Sequence, residues 1–290
     1  EFVFFVDQQP VSEMLVPYVD VIEVKQTRPV TKAAVASSSR SVKDLLAFRH
    51  AVSQQSLDLF FFPAVYSWYP IPRNLPMVLT LHDAIAEHFP KLIFPDWRSR
   101  LMWGLKMKLA RWQATRIMTV SQAAKQEIVE HLHIDPSLID VVSEAADQVF
   151  KPVSNLDIRH DVRLKYNLPI EAKLLVYVGG LAPHKNIEGL LRGLHQVLTQ
   201  EGVNDVHIVL VGDRDGDGFH SNYQILQKVI NDLMPLSGYV HFTGYVPDED
   251  LVVLYSDALA IALPSFSEGF GLPAIEAMAC NVPVLASKAG

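Results

Sequence analysis

Cysteine, long apolar runs and basic charge are all scarce in this chain, and each scarcity excludes something. Cys280 is the only cysteine in 290 residues, so neither an intrachain disulfide nor a cysteine-built metal cluster can form, and a reduced, cytoplasmic setting is favoured. No apolar run approaches the roughly 18 residues that a membrane-crossing helix needs. Residues 1–7 are too short for a signal peptide and read as a strand. The net charge of −7 argues against a nucleic-acid protein as a whole, because neutralising phosphates takes a basic surface. No G-x-G-x-x-G follows a predicted strand, which removes a dinucleotide-dependent dehydrogenase from consideration. What remains is an ordinary globular composition, 49% hydrophobic, in a chain long enough for two domains.

Short β-branched and aromatic runs alternate with helical periods along the chain. Residues 2–6 and 19–24 read as strands, 42–53 as a helix, and 57–63 and 77–81 as strands buried on both faces. The second of these ends at His82 and Asp83, and the region past the carboxyl end of a buried strand is where open α/β sheets bind ligands. His82 reads equally as a satisfied histidine at a helix start, with Asp83 as its cap. Residues 96–116 form a long helix mixing Trp97, Leu101, Trp103, Leu105, Leu109 and Trp112 with Arg98, Arg100, Lys106, Lys108 and Arg111. Such a helix suits an anionic membrane surface, but its apolar and basic residues do not sort cleanly. A packed domain helix with a solvated basic face is therefore expected, with at most weak peripheral membrane contact.

In the second half, a buried strand over 174–178 runs into Gly179 and Gly180 and then a helix from about Ile187, which places Lys185 at the junction, where an ammonium reaches phosphate oxygens. His184 stands beside it. Residues 206–212 form another buried strand. Asp213, Asp215, Asp217 and Gly218 then imitate the start of a calcium loop, but Gln224 stands where the bidentate glutamate belongs, and an acidic surface loop is expected instead.

Residues 263–283 carry the densest signal: strand end, glycine loop, short helix, strand. Pro273 suits the first helical position, and Asn281 with Pro283 closes the helix near Cys280 through a left-handed cap and a breaker. Gly269 and Gly271 let the backbone approach a ligand, and free N–H groups at the helix start favour a diphosphate. Glu268 and Glu276 would repel phosphates, so they are better placed to accept hydrogen bonds from the hydroxyls of a sugar and a ribose. Glu276 by itself also reads as an acid in the first turn of a helix.

Glu268 and Glu276, spaced as E-x7-E within Glu-Gly-Phe-Gly-Leu-Pro and Glu-Ala-Met-Ala, resemble the signature of retaining family-4 glycosyltransferases (glycosyl transferases group 1) of the GT-B fold. The resemblance implies an α/β architecture of two Rossmann-like parallel-sheet domains facing a cleft. These are an acceptor-side domain over residues 1–152 and a nucleotide-sugar domain over 153–290, both incomplete at the chain's ends. It implies transfer of a hexose, with mannose or glucose favoured, from a GDP or UDP sugar to a sugar, glycan or lipid-linked acceptor hydroxyl. It also implies catalytic roles for Glu268, Lys185 and His82. Donor contacts would come from Gly179, Gly180, Lys185, Tyr245, Val246, Glu268, Gly269, Phe270, Gly271, Leu272 and Glu276. No resident cofactor or metal is implied. The chain departs from the family at Gly180, where an arginine is usual, and at Ala145, where a glycine is usual in the interdomain passage 143–152. An epimerase or phosphorylase on the same fold, or a non-catalytic nucleotide-sugar-binding domain, is the alternative reading.

Overall fold

The computed structural model describes residues 1–8, 16–26, 41–213 and 222–288. Asp215, Asp217 and Gly218 of the calcium-like loop lie outside them. Two compact units appear, Glu1–Val142 and Ser143–Gly290. The predicted passage 143–152 lies in the second, where Phe150 is buried against Tyr255, their ring centroids 5.8 Å apart.

In the first unit, β1 (Phe2–Val6) and β2 (Val19–Glu23) form a parallel pair. β3 (Phe60–Phe62), β4 (Met77–Thr80), β5 (Arg116–Thr119) and β6 (Ile139–Val141) form a four-stranded parallel sheet in that order. The helices are α1 (Val42–Ser53) before β3, α2 (Ile85–His88), α3 (Pro90–Ile93) and α4 (Trp97–Gln113) between β4 and β5, and α5 (Gln122–Leu132) between β5 and β6. Their starts follow from local chemistry. Ser41, Asp96 and Ser121 accept from the N–H groups of Asp44, Ser99 and Ala124, pairing donors that each first turn leaves open.

The second unit is the better ordered in its logic. After α6 (Leu156–Lys165), β7 (Lys173–Val178), β8 (Val206–Val211), β9 (Val240–Gly244), β10 (Ala260–Leu263) and β11 (Val284–Ala286) make a five-stranded parallel sheet, order β11-β10-β7-β8-β9. Its central strands alternate their buried residues between the two faces. Tyr177, Ile208 and Leu210 pack under α7 (Ile187–Gln200) and α8 (Tyr223–Asp232), while Leu174, Val176, Val209 and Val211 pack under α9 (Asp248–Asp257) and α10 (Leu272–Ala279). Since β7 comes first in the chain and β10 fourth, the winding reverses between those two neighbours. A crevice at the carboxyl ends of such a pair is where doubly wound sheets hold ligands.

That carboxyl edge is built of bare backbone. Gly179 N–H donates to Val211 O and Gly212 N–H to Gly244 O, both at 3.0 Å. A Cβ added at Gly212 would stand 2.1 Å from the Gly179 carbonyl oxygen, a contact no side chain survives. Glycine at 212 is what lets β7 and β8 end side by side with a flat rim.

Candidate functional site

Two loops meet at the reversal point. The first leaves β7 through Gly179 and Gly180, makes a 3-10 turn over Pro183–Lys185, and enters α7 through Asn186 in the left-handed conformation, φ 52°. The second leaves β10 and carries residues 264–271 to α10. Two hydrogen bonds clip them together: Phe266 N–H to His184 O at 2.9 Å, and Asn186 Nδ2 to Pro264 O at 3.1 Å.

The clip brings Lys185 onto Glu268. Lys185 Nζ lies 2.8 Å from Oε1 and 2.9 Å from Oε2, a two-pronged contact between side chains only 22% and 13% exposed. Buried Ser265 donates a further hydrogen bond to Oε1, so the carboxylate is held from two sides. The cation and the acid that the sequence assigns to phosphate and to sugar hydroxyl thus hold each other across the crevice.

Behind this pair the walls are buried and neutral. Tyr177, fully buried, donates its hydroxyl to Gly180 O at 2.6 Å, fixing the path of the glycine loop; burial, reinforced by the nearby Glu268 charge, keeps the phenol protonated far beyond its usual range. A Cβ added at Gly180 would meet nothing within 4 Å, so a side chain can at least begin there, where the family usually has arginine. His184 is buried, and its Nδ1 has no hydrogen-bond partner among the described residues. Burial, then the Lys185 charge, lowers its pKa to about 4, so the ring is neutral near pH 7.

Glu276 sits one turn into α10. That helix opens at Gly271, φ 84°, without a side-chain cap, leaving first-turn N–H groups facing the loop. Leu272 is the first helical residue, so Pro273 is second rather than first; proline is tolerated there for the same reason, its missing N–H lying in the unpaired first turn. At the far end, Asn281 at φ 62° donates to Met278 O and Val282 to Ala277 O, both at 3.0 Å, the paired Schellman pattern that closes a helix with a left-handed residue. Tyr255 of α9, fully buried, donates its hydroxyl to Glu276 Oε2 at 2.9 Å, leaving Oε1 for a ligand. Burial raises the Glu276 pKa, and the Tyr255 bond pulls it back.

The remaining predicted residues fall into three groups. Gly269 and Phe270 lie in the loop between the two acids, and Leu272 is part-exposed at the helix start. After β9, Tyr245 is 78% exposed while Val246 is buried in the core, so Val246 can offer a ligand only its backbone. His82 belongs to the first unit, where its Nε2 donates to Pro63 O at 2.9 Å, and Asp83, one residue ahead of the cap position Ala84, accepts at Oδ1 from Ile85 N–H at 3.0 Å. His82 and the group of Lys185, Glu268 and Glu276 thus belong to different units. Sequence reasoning missed Tyr177 and Ser265, whose hydroxyls bond three residues further along the chain, and Tyr255, which reaches Glu276 from another helix. It also passed over Gly212, although a glycine closing a buried strand, as Gly179 does, was a usable signal.

Residues 7–148 match the family model described as Glycosyltransferase Family 4, and residues 159–290 the one described as Glycosyl transferases group 1, nearly the whole chain between them. O-antigen chain mannosyltransferase B of Escherichia coli is 35% identical over 221 residues, covering 75% of this chain and 55% of that protein. D-inositol 3-phosphate glycosyltransferase of Mycolicibacterium smegmatis is 32% identical over 217 residues, 74% of this chain and 47% of the other. The chain thus spans about half the length of the curated relatives it matches. Sucrose-phosphate synthase from Thermosynechococcus elongatus superposes with TM-score 0.71 at 20% identity, over 99% of this chain and 71% of the other. Anabaena HepE, solved in complex with UDP and glucose, gives 0.69 at 20% identity, over 99% and 73%. At that identity the solved structures establish the fold, and together with the sequence matches they show that the chain belongs to the family-4 glycosyltransferases of the GT-B fold.

Proposed function

We propose that the second unit is the donor site of a retaining hexosyltransferase acting on a nucleoside diphosphate sugar. GDP or UDP would carry mannose or glucose to a hydroxyl of a sugar, glycan or lipid-linked acceptor on the cytoplasmic side of the membrane. The observation that carries this reading is the Lys185–Glu268 contact at the winding reversal, with Glu276 on the helix that follows. The names of the relatives support it, one a mannosyltransferase, and so does the UDP and glucose held by the Anabaena structure.

In this reading Lys185 leaves Glu268 for the diphosphate, joined by the N–H groups around Gly271, and stabilises the charge that develops on the departing phosphate. Glu268, released, accepts from a hydroxyl of the donor sugar. Glu276 Oε1 accepts from the ribose while Tyr255 steadies the other oxygen. Lysine and helix N-terminus together supply positive charge of the kind a metal ion would bring, so the proposed reaction is metal-independent.

Calorimetric titration with UDP-, GDP- and ADP-linked glucose and mannose tests the assignment. One nucleotide should bind, and Glu276→Ala should weaken it about tenfold or more, the loss of a charge-assisted hydrogen bond. Unchanged affinity in the variant would move the ribose elsewhere. Gly180→Arg probes the phosphate side in the opposite direction. Because a Cβ at this exposed position meets nothing within 4 Å, the variant should fold normally and tighten binding of the same nucleotide roughly fivefold, with an unchanged unfolding midpoint. Weaker binding would place the diphosphate away from the Gly179–Gly180 loop.

A further inference from the structure

Of the two charged groups assigned to the donor, each is occupied by the other. Lys185 Nζ touches both oxygens of Glu268, and the two side chains are largely withdrawn from water. Among the described residues no second cation pairs with Glu268.

The two partners differ in freedom. Glu268 is tied through Oε1 to Ser265, which is fully buried. The backbone on that side is itself pinned, because Ser287 donates through Oγ to Ser265 O at 2.5 Å and through its N–H to Leu263 O at 3.0 Å. Lys185 reaches across on a flexible four-carbon stem, which can swing its ammonium away without any change of backbone. The lysine is therefore the part that moves, and the glutamate stays where it is.

That asymmetry sets unequal terms for two ligands of one site. A nucleoside diphosphate that carries its sugar takes Lys185 with its phosphates and offers hydroxyl donors to Glu268, so both charges are partnered again. The bare nucleoside diphosphate takes the lysine and gives the glutamate nothing. Glu268 is then left little exposed, held by the Ser265 hydroxyl and facing phosphate oxygens of its own sign. The contact opposes the bare nucleotide much more than the donor.

We infer that the Lys185–Glu268 contact is a built-in competitor that selects the sugar-bearing nucleotide over the bare nucleoside diphosphate. Once the sugar has passed to the acceptor, Glu268 recaptures the lysine and promotes release of the product. The inference rests on the donor-site reading.

Calorimetric titration of the full chain with UDP and GDP, and with UDP-glucose and GDP-mannose, tests it through Glu268→Gln. Glutamine has the size of glutamate and keeps an acceptor for Ser265, while the ammonium loses its partner. The bare nucleotide should bind about tenfold tighter to this variant, and the matching nucleotide sugar should change little. Adding Lys185→Met to Glu268→Gln should weaken bare-nucleotide binding about tenfold or more. Made alone in the native chain it should cost about threefold or less, because there the lysine is already engaged. The native chain gives a second line that needs no variant. Excess glucose or mannose should tighten UDP or GDP binding about threefold, since a hydroxyl on Glu268 frees the lysine. Equal affinity of the native chain and Glu268→Gln for the bare nucleotide overturns the inference. So does a hexose without effect, or a loss from Lys185→Met that is the same with and without Glu268; in each of these cases the donor-site reading stands. If Lys185→Met leaves the affinity unchanged even beside Glu268→Gln, the lysine does not meet the diphosphate, and the inference and the donor-site reading fall together.

Discussion

Replacing Lys185 by methionine should lower transfer from the nucleotide sugar by roughly two to three orders of magnitude, the usual cost of removing one donor aimed at developing charge. Methionine keeps the unbranched stem and its packing and removes only the ammonium. The loss should fall mainly on kcat, because Lys185 meets the phosphate most strongly as the sugar departs. Stability should fall much less, by about 1–2 kcal/mol, since Glu268 keeps its Ser265 bond and part of its solvent contact. The double variant Lys185→Met with Glu268→Gln separates the two effects. It leaves no unpaired charge, so the unfolding midpoint should recover while transfer stays low. Turnover as fast as the native chain's in the single variant would mean that Lys185 serves only to neutralise Glu268.

How much of this was legible in advance follows a physical line. The helix over 272–279 could be read almost to its ends, because glycine, proline and asparagine punctuate a backbone by their own dihedral preferences. Glu276 on it, Glu268 in the loop before it and Lys185 in the loop after β7 could be named because each stands where a strand, a glycine loop and a helix follow one another, and because they match the family signature. The contact between Lys185 and Glu268 could not, since it depends on β7 and β10 becoming neighbours, an outcome of sheet order. Tyr177 and Tyr255 look like ordinary core residues in the sequence, and only their hydroxyl partners reveal a role. At α4 the period was read as helical and a packed helix with exposed basic residues was expected, as Arg98, Arg100 and Lys108 are, but which residues face inward was not assigned. Three residues, Trp103, Met107 and Ala110, define the packed stripe, and a helix with apolar groups all around gives no pattern from which to choose them.

His184 makes the second unit acid-sensitive, and the sign follows from its depressed pKa. In the unfolded chain the imidazole takes up a proton near pH 6.5, whereas in the fold it resists until about pH 4. Above pH 6.5 both states are neutral and the residue makes no pH-dependent contribution. As pH falls through that window the unfolded state binds the proton and the folded state does not, so stability is lost progressively. The full difference is about 3 kcal/mol by pH 4. Burial is the main cause and the Lys185 ammonium the second, while the Glu268 carboxylate works against both. His207 and His241, whose nitrogens stand 3.0 Å apart across β8 and β9, also have lowered pKa values and add to the same acid limb. The measurement must therefore be a difference. His184→Leu fills nearly the same volume and removes both the titration and the unpaired Nδ1. Denaturant midpoints from pH 7 to pH 4 should fall for both chains, but less steeply for the variant, with the gap closing in its favour by about 3 kcal/mol. Parallel curves would show that the fold does not hold His184 neutral. A bound diphosphate supplies negative charge beside Lys185, which raises the folded-state pKa of His184 and flattens the native curve toward that of the variant. Repeating the titration with saturating nucleotide therefore reads the distance between ligand and histidine without any assay of transfer.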